Sequence, residues 1–317
     1  MRSALTGALL VAALACGGGR RATPVAPSAV DLGVGPGTVL TVVSGEDDHP
    51  IAEADVTVAG QRYRSDVAGQ IRLSQRADPD SLVDVVAPGI LDRQTLLRPG
   101  STRFALWPRT SATGLNENFT AVLVYTSAGG AAATTGGIPL LRLPAGVTQV
   151  VIVPSAAILD DERALAAHVD AAYRLTTATG GRITYQLANS RPASGVVFES
   201  RIDPAEETCV QGFRGFVTYD TRRGEIASGR IVLCSEDFAR TGTVTHEMGH
   251  TFGLRHSPDP REVMYSSFSR IRAVDFGARE SLAMALMLQR RAGNRFPDND
   301  RDVTASNLSG TVTIACP

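Results

Sequence analysis

Short runs of alternating apolar and polar residues fill the first third of the chain. Val56 and Val58 alternate with polar neighbours before Ala59-Gly60-Gln61, a turn candidate. Ser65-Asp66-Val67-Ala68-Gly69 punctuates the next pair of strands, which includes Ile71 and Leu73. Leu82-Val83-Asp84-Val85-Val86, the turn Ala87-Pro88-Gly89 and a last strand around Phe104-Ala105-Leu106-Trp107 complete the series. Several short strands at regular spacing predict an all-β sandwich over 38–109.

From about Asn116 the pattern becomes mixed. Thr148-Gln149-Val150-Val151-Ile152-Val153 is nearly continuous apolar sequence and predicts a buried strand. Asp160-Asp161-Glu162 offers an N-cap and an acidic first turn. Leu165, Val169 and Tyr173 then recur at helical spacing, and Gly180-Gly181 provides the stop. Further strands are expected at 182–187, 195–200, 215–219 and 229–234, a helix starting near Thr243, and a last helix from Asp275 to about Arg291. Leu282 and Leu286 share a face of that helix, and Gly293 ends it. The fold class is therefore α+β and multidomain: the sandwich, a second domain over 112–296, and a tail over 297–317.

Inside the expected helix near Thr243 lies His246-Glu247-Met248-Gly249-His250-Thr251-Phe252-Gly253-Leu254-Arg255-His256. Residues four apart on a helix project from one face, so His246 and His250 can direct two imidazoles at one metal ion. Glu247 sits one step round, where it can hold a water without being a ligand. Gly253 tolerates the left-handed conformation that ends a helix and turns the chain back, bringing His256 to the same ion. Three histidines leave one tetrahedral position open, as in catalytic rather than structural zinc. The chain has five histidines, and three of them fall here. Of the others, His49 reads as a solvated loop residue and His168 as a packed or exposed helix residue.

The extended H-E-x-x-H-x-x-G-x-x-H pattern, followed by Ser257-Pro258-Asp259-Pro260-Arg261-Glu262-Val263-Met264-Tyr265, resembles the metzincin zinc metalloproteases. His256-Ser257 with Val263-Met264-Tyr265 is most similar to their matrixin branch. The resemblance implies a zincin-like catalytic domain with a mixed sheet, a backing helix at the 160s and 170s, a zinc helix, a Met-turn and a C-terminal helix. It implies one Zn2+ held by His246, His250 and His256, with Met264 as a hydrophobic floor beneath the imidazoles. It also implies that the strand just before the zinc helix has a free edge for an extended peptide. Gly229-Arg230-Ile231-Val232-Leu233 is the segment expected there, with Gly229 and Ile231 touching substrate by β-augmentation. Ser266 departs from the family, whose branches carry tyrosine or proline at that position, so the wall of the specificity pocket is left open. Tyr265 is a candidate either for oxyanion stabilisation or for packing along the pocket.

The chemistry implied is hydrolysis of protein or peptide substrates, with Glu247 as the general base that takes a proton from water and passes it to the departing amine. Two other readings share the metal ligands: an adhesion or binding lipoprotein that no longer cuts, and a zinc hydrolase acting on something other than peptide. The intact Glu247 argues against the first, and the Met-turn against the second.

Pro50 to Val58 together with Ser65 to Gly69 resembles the carboxypeptidase regulatory-like sandwich, which implies a spacer or adhesion unit. Met1 to Cys16 reads as an export signal: Arg2, an apolar run from Ala4 to Leu14 too short to span a bilayer, then Ala13-Leu14-Ala15-Cys16. That box resembles a bacterial lipoprotein cleavage site with Cys16 lipidated, and equally a small-x-small site for ordinary signal peptidase. Residues 17–37, rich in Gly, Pro and Ala, suit a flexible tether. The net charge of −1 gives no reason to expect nucleic acid or an anionic membrane as partner, so membrane contact would come only through the lipid. Oligomeric state is not legible.

An exported chain meets an oxidising compartment, and Cys209 with Cys234 is the favoured disulfide, the alternative being Cys316 with either. Asp298-Asn299-Asp300-Arg301-Asp302 alternates oxygen-bearing residues and could hold Ca2+, although it lacks the glycine and distal glutamate of an EF-hand; otherwise it is a solvated acidic tail.

Overall fold

A computed structural model describes residues 33–98, 100–125, 138–267, 273–300 and 308–317. The expected signal segment, Cys16 and the tether up to residue 32 lie outside the described residues, as do Arg301 and Asp302. The tether's final stretch is docked, since the Gly37 N–H donates to the Leu73 carbonyl at 2.8 Å.

Seven strands build the first part: β1 (Val39–Ser44), β2 (Asp55–Val58), β3 (Gln61–Arg64), β4 (Gln70–Arg72), β5 (Leu82–Val86), β6 (Arg93–Leu96) and β7 (Arg103–Leu106). They form two sheets, ordered β4-β1-β7 and β3-β2-β5-β6. Alternation sorts the side chains as expected. Leu40, Val42, Phe104 and Leu106 from one sheet join Val56, Val58, Val83 and Val85 from the other in a single apolar core.

The remainder contains α1 (Glu117–Tyr125), β8 (Gln149–Pro154), α2 (Ala156–Asp160), α3 (Glu162–Ala178), β9 (Thr184–Leu187), β10 (Val196–Ile202), α4 (Glu207–Val210), β11 (Gly215–Arg222), β12 (Glu225–Leu233), α5 (Thr241–Phe252), α6 (Ala278–Leu288) and β13 (Gly310–Cys316). Among the described residues their strands make one sheet, ordered β13-β11-β12-β10-β8-β9. The pairings β9-β8, β8-β10 and β10-β12 are parallel, whereas β11 runs antiparallel to β12 and β13 antiparallel to β11.

Three expectations need correction. First, α3 exists where its cap predicts, with Asp161 accepting from the Arg163 and Ala164 N–H groups. Its buried face, however, is Ala164, Ala167, His168, Ala171, Ala172 and Leu175, while Val169 and Tyr173 are exposed. Small side chains let α3 approach α5 closely, and that contact outweighs the larger apolar residues. His168 is held by the Ala164 carbonyl at 2.7 Å and Ser200 Oγ at 2.8 Å. Second, Gly229 and Ile231 lie on no free edge. Arg223 and Gly224 both have positive φ (54° and 79°), which suits a tight hairpin, and this folds β11 against the outer side of β12. Ile231 is fully buried, and a Cβ on Gly229 would meet the Thr218 carbonyl oxygen at 2.4 Å.

Third, 297–317 is not simply a tail. Residues 310–316 form β13, and Asp298 and Asp300 are buried. The Gln94 N–H of β6 donates to the Asp298 carbonyl, and the Asp300 N–H donates to the Gln94 carbonyl, so this segment covers the edge of β6. Asp298 takes a fork from Arg290 at 2.8 and 2.7 Å, while Asp300 accepts from Arg93 at 3.1 Å and Thr95 at 2.9 Å. Asn294 donates to both carboxylates. Guanidinium groups supply the counter-charge of both carboxylates. Arg290 also lies 4.9 Å from the Trp107 ring centre.

Cys209 and Cys234 are disulfide-bonded, as favoured. No helix among the described residues is long and apolar enough to cross a membrane.

Removing Asp298 would strand a fully buried Arg290 without its counter-charge. Asp298→Ala should therefore lower unfolding stability by about 3–5 kcal/mol in urea titration. Asp170→Ala, which breaks the more exposed pair with Arg174, should cost no more than about 1 kcal/mol.

Candidate metal centre

Helix α5 is buried continuously from Val244 to Phe252, packed against α3 on one side and against β11 and β12 on the other. It ends at Gly253, whose φ of 106° is left-handed. A side chain there would also meet the Leu141 carbonyl oxygen at 2.5 Å, so glycine is required twice over. The reversed chain then carries His256 back beside the helix.

The three predicted imidazoles come together. The His246 and His250 ring centres are 4.8 Å apart, and His256 lies 5.4 and 4.9 Å from them. Backbone carbonyls fix two of the rings: His246 Nδ1 lies 2.7 Å from the Val263 oxygen and His250 Nδ1 lies 2.8 Å from the Leu254 oxygen. Those nitrogens carry the hydrogens, which leaves the Nε2 lone pairs of His246 and His250 facing each other at 3.1 Å. Burial, with the neighbouring rings, lowers the imidazole pKa to about 3 for His246 and well below the usual range for His250. Burial and Arg255 bring His256 to about 4. All three are neutral at pH 7, the form that binds a metal.

Glu247 is fully buried beside them, and its Oε1 has no hydrogen-bond partner. Burial pushes its carboxyl up to about 8, with a thiol contact from Cys316 opposing. Gly215 opposite is essential to its position, because a Cβ there would meet Glu247 Oε1 at 2.5 Å. Converging unprotonated nitrogens and an unsatisfied buried carboxylate fit a divalent cation with a general base alongside.

Met264 is fully buried, and its turn is tied down at both ends. The Ser257 N–H donates to the Met264 carbonyl at 2.6 Å, and the Met264 N–H donates to Glu280 Oε1 at 2.9 Å. Glu280 Oε2 accepts from the Gly277 N–H at the start of α6. Burial and the adjacent Glu262 hold the Glu280 carboxyl well above the ordinary range. Arg279 pairs with Glu262 and Asp259 across the same turn. Tyr265 is half-buried and lines a cleft of about 560 Å3 with His256, Ser257 and Phe213. This is the position of a pocket wall. Gly229 and Ile231 are not part of the cluster.

One member escaped sequence reasoning. Cys316 Sγ lies 3.4 Å from His250 Nε2, 3.5 Å from His256 Nε2 and 3.5 Å from Glu247 Oε2. The ligand atoms of His246, His250, His256 and Cys316 all lie within 4.8 Å of one another. The alternation Thr311, Val312, Thr313, Ile314 was the available signal for a strand that carries this cysteine inward.

The floor of the site is tight. A Cβ on Gly249 would stand 2.3 Å from Met264 Sδ, whereas at Gly242 in the same helix nothing lies nearer than 3.7 Å. Gly249→Ala should destabilise the protein by about 1–3 kcal/mol despite the better helix propensity of alanine. Gly242→Ala should be neutral or stabilising, and thermal unfolding of the two variants distinguishes them.

Residues 156–281 match the family model described as Matrixin, a stretch that holds the histidine motif and the Met264 turn. That match supports a metzincin-like metallopeptidase for this part of the chain, with zinc as the metal the family implies. No curated protein sequence gives a significant match. Among solved structures the chain is similar to metalloproteinase-II from Bacteroides fragilis, over 79% of this chain and 99% of that one. The identity is 12% and the TM-score 0.32, a likeness too loose to bear on fold or activity.

Proposed function

We propose that the protein is an exported zinc endopeptidase. The observation that carries this reading is the convergence of His246, His250 and His256 nitrogens beside the buried carboxylate of Glu247, whose Oε1 has no hydrogen-bond partner. Zinc bound there supplies Lewis-acid polarisation of a peptide carbonyl and of water. The Val263 and Leu254 carbonyls orient two imidazoles, so their Nε2 lone pairs need no rearrangement to bind. Glu247 takes a proton from water at its carboxylate and delivers it to the departing amine nitrogen. Its burial places the carboxyl near the pH at which it must both accept and return that proton. The edge of β11 that β13 occupies is the rail on which an extended peptide would pair once β13 leaves, with Tyr265 and Phe213 bounding a side-chain pocket next to His256.

Export draws support from the Cys209–Cys234 disulfide, a bond that persists in oxidising compartments. The apolar run ending at Ala15-Cys16 motivates a mature chain beginning at a lipidated Cys16. Mass spectrometry of the mature N-terminus should find acyl chains on that cysteine; an unmodified thiol would leave export without an anchor.

Glu247→Gln should keep nearly stoichiometric zinc while cleavage of casein and quenched peptides falls by about 10²–10⁴. His250→Ala should lose metal and activity together. A chelator should abolish cleavage by the unaltered protein, and added zinc should restore it. Near-normal cleavage by Glu247→Gln would remove the proposed mechanism.

A further inference from the structure

We propose that Cys316 is a fourth ligand to the zinc, delivered by β13 lying along the substrate rail, so that the chain folded in this way is latent. The inference rests on the peptidase reading above and adds its regulation.

Distances support ligation. Nitrogen and sulfur atoms at usual zinc bond lengths on one tetrahedral centre stand about 3.4–3.6 Å apart. Cys316 Sγ lies 3.4 and 3.5 Å from the Nε2 atoms of His250 and His256. Free cysteine is commonly buried as a small apolar residue. Here the fully buried sulfur instead faces imidazole nitrogens and a carboxylate, which is a ligand's surroundings rather than a packing residue's. Coordination as thiolate releases one proton, and Glu247 Oε2 at 3.5 Å is the adjacent acceptor. The sulfur then fills the position that water needs, and the base holds the displaced proton.

The strand that brings the sulfur also fills the rail. β13 pairs antiparallel with β11 from Gly215↔Cys316 to Thr221↔Gly310, and the Arg214 N–H donates to the Cys316 carbonyl at 2.9 Å. Side chains reinforce the pairing through Thr218 with Thr313 at 3.0 Å and Thr311 with Asp220 at 2.7 Å. Alternation turns Ile314 and Cys316 inward, while Thr313 and Ala315 line the cleft beside His256. An extended peptide docking on β11 must first displace this strand. Separation of β13 would open both the rail and the fourth position, whereas chemical capping of the thiol would free the fourth position alone.

X-ray absorption at the zinc edge on the zinc-loaded full chain tests ligation without relying on activity. A sulfur scatterer at about 2.3 Å is expected beside nitrogens at about 2.0–2.1 Å. Cys316→Ala should retain the nitrogens, lose the sulfur, and cleave a quenched peptide at least about tenfold faster than the unaltered chain. Glu247→Gln added to Cys316→Ala should cancel that gain. Zinc bound by nitrogen and oxygen alone in the unaltered chain would overturn the ligand assignment while leaving the peptidase reading standing. Zinc bound by neither protein would overturn both. Sulfur ligation with no cleavage by Cys316→Ala would keep the ligand and overturn latency together with the peptidase reading. Should Cys316→Ala fail to fold, the absorption spectrum of the unaltered chain still decides ligation.

Discussion

Keeping neutral imidazoles in a dry interior, with their lone pairs aimed at one point, is the constraint on which the rest of the second half depends. A buried imidazole needs a partner at one nitrogen before the other can be spared for a metal. For His246 the partner is the Val263 carbonyl, supplied by the turn that carries Met264, and for His250 it is the Leu254 carbonyl, just past the helix end. The Met264 turn is in turn fastened to α6 through Glu280, and Gly249 lets it close up under the helix. His246 and His250 are therefore oriented by backbone outside the helix, and the acidic residues around the turn serve that backbone rather than the reaction.

A second constraint joins the two apolar cores. Arg93 and Thr95 project from β6 toward Asp298 and Asp300, and Arg290 lies between Asp298 and the Trp107 ring. Each charge is buried and each has a counter-charge, which makes this junction costly to break at any single member. Desolvation lowers the Arg290 guanidinium to about 10, while its carboxylate partners resist that fall. The β-sheet portion is thus coupled to the segment that follows α6.

Much of this was legible in local pattern. Alternation at Val56, Val58, Val83 and Val85 gave the inward face of one sandwich sheet, and the Asp161 cap gave the start of α3. The histidine spacing named the residues that converge, because helical periodicity and a glycine stop are local physics. What pattern could not provide was which elements pair. Nothing in Gly229 to Leu233 reveals that the Arg223-Gly224 hairpin covers its outer side. Likewise Val169 and Tyr173 look like a core stripe until the alanines beside them are seen to meet α5. Asp298 and Asp300 read as solvated acids because two of their partners, Arg93 and Thr95, stand some 200 residues away. Cys316 was misjudged for the same reason: its neighbours in space are some 60 residues distant in sequence.

The Cys209–Cys234 bond bears on how the sheet behaves under load. It links α4, just before β11, to the residue that follows β12, and so clasps the open end of the hairpin. The opposite end is shut by the Arg223-Gly224 turn. With both ends closed the hairpin cannot unzip, and a pull on β13 shears only the bonds between β13 and β11. Of these three strands, β13 is the one that can leave without opening a closed hairpin.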